Sequence, residues 1–168
     1  MLQIVKFPDP ILRERMPDFD FENPVMDPKE LEREMLATMF ANKGIGLAAN
    51  QVGIRARVFT LGDKTNFLMA KAYFNPKIIA STSDVLDLEE GCLSFPGIFI
   101  NIKRPSAIKV EYQNSDGETE TAEFEGYDCK VFLHEHDHLE GIVFQDRVSP
   151  LKWALAVKKS KPNKRKGI

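Results

Sequence analysis

One five-residue run, His134-Glu135-His136-Asp137-His138, contains every histidine of the chain and constrains its fold more than any other segment. On an α-helix each residue advances about 100°, so positions 134 and 138 lie about 40° apart on one face. Two imidazoles on adjacent turns are spaced to bind one metal ion. Glu135, on the flank of that face, is placed for a water on the metal more naturally than for the metal itself. His136 points roughly to the opposite side. An exposed polar helix is the other reading, but Val131, Phe132, Leu133 and Leu139 flank the run. A helix so flanked is mostly buried, and a buried His-Glu-x-x-His needs partners, of which a metal is the most direct.

Two histidines call for a third ligand. The pattern His-Glu-x-x-His-x-x-Gly-x-x-His holds through Gly141 and then fails at Phe144. Beyond Gly141 the chain offers no acidic residue except Asp146. Cys129 would sit about 140° from His134 and about 180° from His138, on the wrong side of the helix. The other cysteine, Cys92, follows Gly91 near the end of an extended stretch, where a tight loop can present it. Unaided, a lone cysteine is more often a small buried hydrophobe. The missing ligand reverses that reading. Two histidines and one thiolate leave a fourth position open, as in a catalytic rather than a structural site.

The chain has 168 residues, enough for one domain with a sizeable core. Asp27-Pro28 is a cap followed by proline at the first helical position. Leu31, Met35 and Met39 continue as an apolar stripe, and Lys43-Gly44 stops the helix. Strands are expected at Arg57–Leu61, at Tyr73–Ala80 with a break at Asn75-Pro76, and at Ser106–Gln113. The last returns through Asn114-Ser115-Asp116-Gly117 into Glu118–Glu125 as a hairpin. A second helix is expected from Asp128 to Gly141, and a third from Ser149-Pro150 to Val157. Strands grouped before helices imply an α+β fold with an antiparallel sheet. Between the first helix and the first strand, Gly44-Ile45-Gly46-Leu47-Ala48-Ala49-Asn50-Gln51 superficially fits a dinucleotide loop. The helix precedes it and the strand follows, the reverse of what that fold needs. Its small residues permit close approach of a ligand, and Gln51 offers an amide donor to developing negative charge.

Gly44–Gln51, Glu90–Ser94 and His134–His138 resemble, in order, the three motifs of the peptide deformylase family. Weaker similarity runs from Lys6-Phe7-Pro8-Asp9-Pro10 through Asn75-Pro76 to Ser149-Pro150-Leu151-Lys152. The resemblance implies antiparallel strands packed around a central helix carrying the His-Glu-x-x-His motif. It implies Cys92, His134 and His138 as metal ligands, Glu135 as general acid/base, and Gln51 with the backbone N–H of Leu93 as oxyanion donors. The reaction implied is removal of the formyl group from the N-terminal formyl-methionine of nascent proteins, releasing formate. Gly46, Ile45, Tyr127 and Val131 are then expected to bind substrate. One divalent metal ion per chain is implied, Fe(II) expected, with Zn(II) or Ni(II) as alternatives. Three departures stand out. Phe99 replaces a frequent arginine, Leu133 a frequent glutamine, and Lys130 stands near the proposed slot where apolar residues are usual.

The formal net charge of −2 conceals an asymmetry, because residues 158–168 carry six basic and no acidic side chains. A single catalytic domain over 1–157 with a basic tail over 158–168 is the expected organisation. The tail is either a solvated end or an electrostatic contact with ribosomal RNA. No apolar run is long enough for a membrane span, and the start of the chain lacks a signal peptide's apolar stretch. Neither membrane nor DNA is an expected partner, and with free cysteines the cytoplasm is the expected compartment. Two rival functions use the same residues. One is a metallopeptidase acting on unformylated peptides, which Phe144 argues against. The other is a non-catalytic, metal-stapled RNA-binding module, which needs a fourth protein ligand.

Overall fold

The computed structural model describes residues 1–62 and 70–160. Helix α1, Pro28–Ala41, begins where expected: the Asp27 carboxylate accepts from the backbone N–H groups of Lys29 and Glu30. It ends as Lys43 enters the left-handed region at φ 57°, and Gly44 N–H bonds back to the Met39 carbonyl. Leu31, Met35 and Met39 are its buried stripe. The Gly-rich segment, expected to be a loop, is in part a short strand, β1 at Gly46–Ala48, antiparallel to β2 at Val58–Leu61. Between them Ala49–Val52 forms one 3-10 turn.

Strand β3, Lys71–Ser81, continues through the expected break. Asn75 takes φ 49°, a conformation asparagine tolerates, and the register against the partner strand slips on either side of Lys77–Ile78. The Asn75 side chain donates to Phe19 O and Gln113 Oε1, which holds the bulge in place. Strands β4, Val85–Cys92, and β5, Phe95–Pro105, form a separate two-stranded sheet. Strands β6, Ala107–Gln113, and β7, Thr119–Glu125, make the expected hairpin. Asn114 Oδ1 accepts from Asp116 and Glu118 N–H across its turn, and Gly117 supplies φ 80°. The larger sheet runs β1-β2-β3-β6-β7, antiparallel throughout.

Helix α2, Gly126–Leu139, starts two residues before the expected Asp128. The chain leaves β7 directly through Gly126 at φ 58°, with no side-chain cap to mark the start. It packs against strands of both sheets, so the fold is α+β with antiparallel strands around the motif-bearing helix. Phe132 is its apolar anchor, edge-on to Phe59 and Tyr73. Helix α3, Pro150–Ser160, runs three residues past Val157, so the first residues of the expected tail are helical. Its Trp153 ring packs on Phe95 and Phe144. Residues 161–168 of the tail lie outside the described residues. Among the described residues, no helix is long and apolar enough to cross a membrane.

Candidate metal centre

The donors come from two elements. His134 and His138 project from the buried face of α2, and Cys92 ends β4. The β4–β5 ladder pairs Gly91 with Phe99 and then jumps to pair Cys92 with Phe95. That bulge turns the strand end toward the helix. Cys92 Sγ lies 3.3 Å from His138 Nε2, and the two Nε2 atoms lie 3.2 Å apart. Tetrahedral coordination, with nitrogen at about 2.0–2.1 Å and sulfur at about 2.3 Å, sets neighbouring donors roughly 3.3–3.6 Å apart. The donor set, soft sulfur plus two imidazoles, and its spacing both fit a divalent ion.

Of the two imidazoles, His134 is held by a chain of partners that fixes its direction, whereas His138 Nδ1 has no hydrogen-bond partner among the described residues. His134 Nδ1 donates to Glu90 Oε1 at 2.8 Å, which turns the opposite ring nitrogen, Nε2, toward the other donors. Glu90 receives both Nε and Nη2 of Arg104, at 2.5 and 2.9 Å. Arg104 Nη1 reaches Asp137 on α2, which is also clamped by Arg147. Glu90, Arg104 and Asp137 are all buried. Burial would push Glu90 up, but hydrogen bonds from Arg104 and His134 outweigh it and hold the carboxyl down at about 2. Burial, and then the charge of His134, press His138 well below its usual range, so that ring is neutral. His134 moves the other way: burial opposes protonation, but its bonds to Cys92 and Glu90 prevail.

Glu135 is buried beside the donors, and its Oε2 has no hydrogen-bond partner among the described residues. Burial, helped by the charge of Glu90 and opposed by those of His134 and Arg104, pushes its carboxyl up to about 7, the range in which a group can both take and return a proton near neutrality. It packs directly on Gly46, where an added Cβ would overlap its carboxyl group. Gly46 thus leaves room for this side chain while also lining the cavity in front of it. Gln51 is held through Oε1 by Ala48 N–H, and its Nε2 lies 3.4 Å from Cys92 Sγ and 3.2 Å from Ser94 Oγ. Asn50 donates to the His138 carbonyl, tying this turn to the end of α2.

A cavity of about 740 Å³ opens in front of these groups. Cys92, His134, Glu135, Gln51 and Leu93 line it, as do all four residues expected to bind substrate, Gly46, Ile45, Tyr127 and Val131. Phe99 lies at its mouth, 61% exposed, with its ring across Gly91. The structure leaves out the residues that helix geometry excluded. Cys129 is buried with Sγ bonded to the Pro105 carbonyl, and His136 stacks on Phe132 beside Arg57. Phe144, which interrupts the longer histidine motif, packs edge-on against His134 as part of the core. Leu133 also packs in that core. Sequence reasoning missed Arg104, Asp137 and Ser94, and gave Glu90 no role. One signal for Arg104 was available: it follows Ile98, Ile100 and Ile102 in the two-residue alternation of β5, and so faces inward.

The sequence matches the family model described as Polypeptide deformylase over residues 1–154. It is 46% identical to the peptide deformylase of Thermotoga maritima over 160 residues, covering 95% of this chain and 94% of that protein. Among solved structures, a peptide deformylase from Synechococcus elongatus in complex with actinonin superposes with a TM-score of 0.87. That match is 31% identical over 94% of this chain and 86% of the other. A peptide deformylase from Legionella pneumophila superposes with a TM-score of 0.88 at 29% identity, over 95% of this chain and 93% of the other.

Proposed function

The chain belongs to the polypeptide deformylase family, and from that premise we propose that Cys92, His134 and His138 hold a divalent metal ion beside Glu135 as the proton carrier. The reaction is hydrolytic removal of the N-formyl group from nascent proteins. Bound by these three donors, such an ion acidifies a water and polarises a carbonyl oxygen. Glu135 takes a proton from the water that adds to the formyl carbon, and delivers it to the amine nitrogen as the C–N bond breaks. Formate and a free α-amine result. Gln51 Nε2, immobilised through Ala48 and Ser94, and the Leu93 N–H stabilise the negative charge that gathers on the formyl oxygen. Ile45, Tyr127 and Val131 seat the methionine side chain in the cavity.

The observation that carries this reading is convergence: three candidate donor atoms lie within 4.8 Å of one another, and Cys92 and His134 line the same cavity as Glu135. The test is formate release from a formyl-methionyl peptide, beside scission of the same peptide without its formyl group. Formate from the first, no cleavage of the second, and a loss of about 10²-fold or more in Glu135→Ala are expected. Scission of the unformylated peptide would favour a peptidase instead. Undiminished formate release by the variant would remove Glu135 from its role.

Sulfur and imidazole donors suit iron and zinc alike, and we propose Fe(II) as the working ion, with Zn(II) or Ni(II) as substitutes. Anaerobic loading with iron should then give faster turnover than zinc, and equal rates would refute it. Residues 1–157 are proposed as the catalytic domain and the basic segment 158–168 as a ribosome contact in the cytoplasm. Salt-sensitive cosedimentation with ribosomes that is lost on removing residues 161–168 is the expected sign of that contact. Cosedimentation unchanged by the deletion would count against it.

A further inference from the structure

The face of α2 that presents His134 also presents Tyr127, Lys130 and Val131, and all of these line the cavity. Lys130 is the anomaly among them. It is 7% exposed, although a charged ammonium is costly to bury unless its donors are engaged. Nζ donates to the Glu89 carbonyl at 2.8 Å and lies 4.0 Å from the centroid of the Tyr127 ring. Among the described residues, no carboxylate oxygen is within ion-pair distance of it. An ammonium has three N–H donors, so one carbonyl and one ring face leave a donor for something else in the cavity. Its methylene stem adds to the apolar wall formed by Ile45, Leu88 and Val131. Lys130 therefore sets a cationic donor among the apolar side chains of this part of the wall, while Lys6 and Lys43 also line the cavity.

We propose that Lys130 is a specificity-determining residue, whose ammonium selects a linear first side chain bearing a hydrogen-bond acceptor, methionine sulfoxide in particular, over an unbranched hydrocarbon of equal length. The inference rests on the deformylase reading and on the cavity as the seat of the first side chain. Methionine and norleucine have the same length and shape, but a thioether is a weak acceptor and a methylene is none. A sulfoxide oxygen is strongly polar and would be penalised by a wholly apolar wall. Opposite a buried ammonium with a spare donor, the same oxygen gains a charge-assisted bond.

Three peptides differing only in the first residue, formyl-Met, formyl-Met sulfoxide and formyl-norleucine, test this through kcat/KM for formate release. The native protein should process the sulfoxide within about tenfold of methionine. In Lys130→Met the sulfoxide-to-norleucine ratio should fall about tenfold or more, and Lys130→Arg should restore most of it. Lys130→Leu serves in place of the methionine variant if melting shows that variant to be unfolded. An unchanged ratio in an active, folded variant would overturn the role of Lys130 alone. No formate from any of the three peptides with the native protein would overturn the deformylase reading, and this inference with it.

Discussion

Gly46 shows how much a single missing methyl group can carry. Its α-carbon faces the Glu135 carboxyl so closely that a Cβ could exist there only if that side chain moved. Strand β1 is meanwhile fixed by its ladder to β2, with Gly46 opposite Leu61. The side chain, not the backbone, must therefore yield. Gly46→Ala should leave the fold intact and displace Glu135, the proposed proton carrier. A misplacement of about 1 Å in a reacting group lowers rates by about 10²-fold, and kcat is expected to fall by that order. Steady-state kinetics with a thermal melt would check it, and native kcat in the variant would show that Glu135 does not need this position. The strand on which Gly46 lies was read from sequence as a loop, because its three residues are too few to show an alternation. The glycine was legible as a place of close approach; that the approaching group is the protein's own glutamate was not.

At the scale of elements, signals written within one short segment were legible and signals shared between segments were not. Helix α1 carried its cap, its proline, its apolar spacing and its stop in about one stretch of chain, and each appears where expected. Asp27→Ala should therefore cost about 1 kcal/mol and lower Tm by about 2–4 °C, with kcat/KM unchanged. A melt at the native temperature would show that the cap contributes nothing. Helix α2 began early because a glycine turn, not a capping side chain, starts it. The β4–β5 hairpin was the larger omission. Strand β4 is mostly exposed and rich in acidic residues, so it shows little apolar alternation of its own. Its purpose becomes visible only across the sheet and onto α2, where Glu90 meets Arg104 and His134. The proposed histidine ligands were legible because they share one helix. Cys92 was reached only after other donors had been eliminated.

For the whole molecule, the consequence of this arrangement is that ion binding and folding are linked equilibria. Cys92 belongs to the two-stranded sheet, His134 and His138 to the helix between the sheets, and Gln51 to the turn after β1. An unfolded chain brings none of these together, so an ion that binds all three ligands stabilises only the folded form. Linkage gives about 4 kcal/mol when free ion exceeds its dissociation constant about 1,000-fold, or a rise in Tm of roughly 8–16 °C for a chain of this size. The Glu90–Arg104–Asp137 chain adds a constraint. Because it orients His134 without contributing a ligand, the protein without ion should still be folded, with its donors held near one another. Calorimetry of the chelated protein should thus show a cooperative transition that climbs with added zinc and falls back on chelation. Cys92→Ala should melt cooperatively too, but with most of the zinc-dependent climb gone. A climb of the same size in that variant would place the stabilising ion elsewhere, and no climb in the native chain would show that these three donors do not hold an ion together.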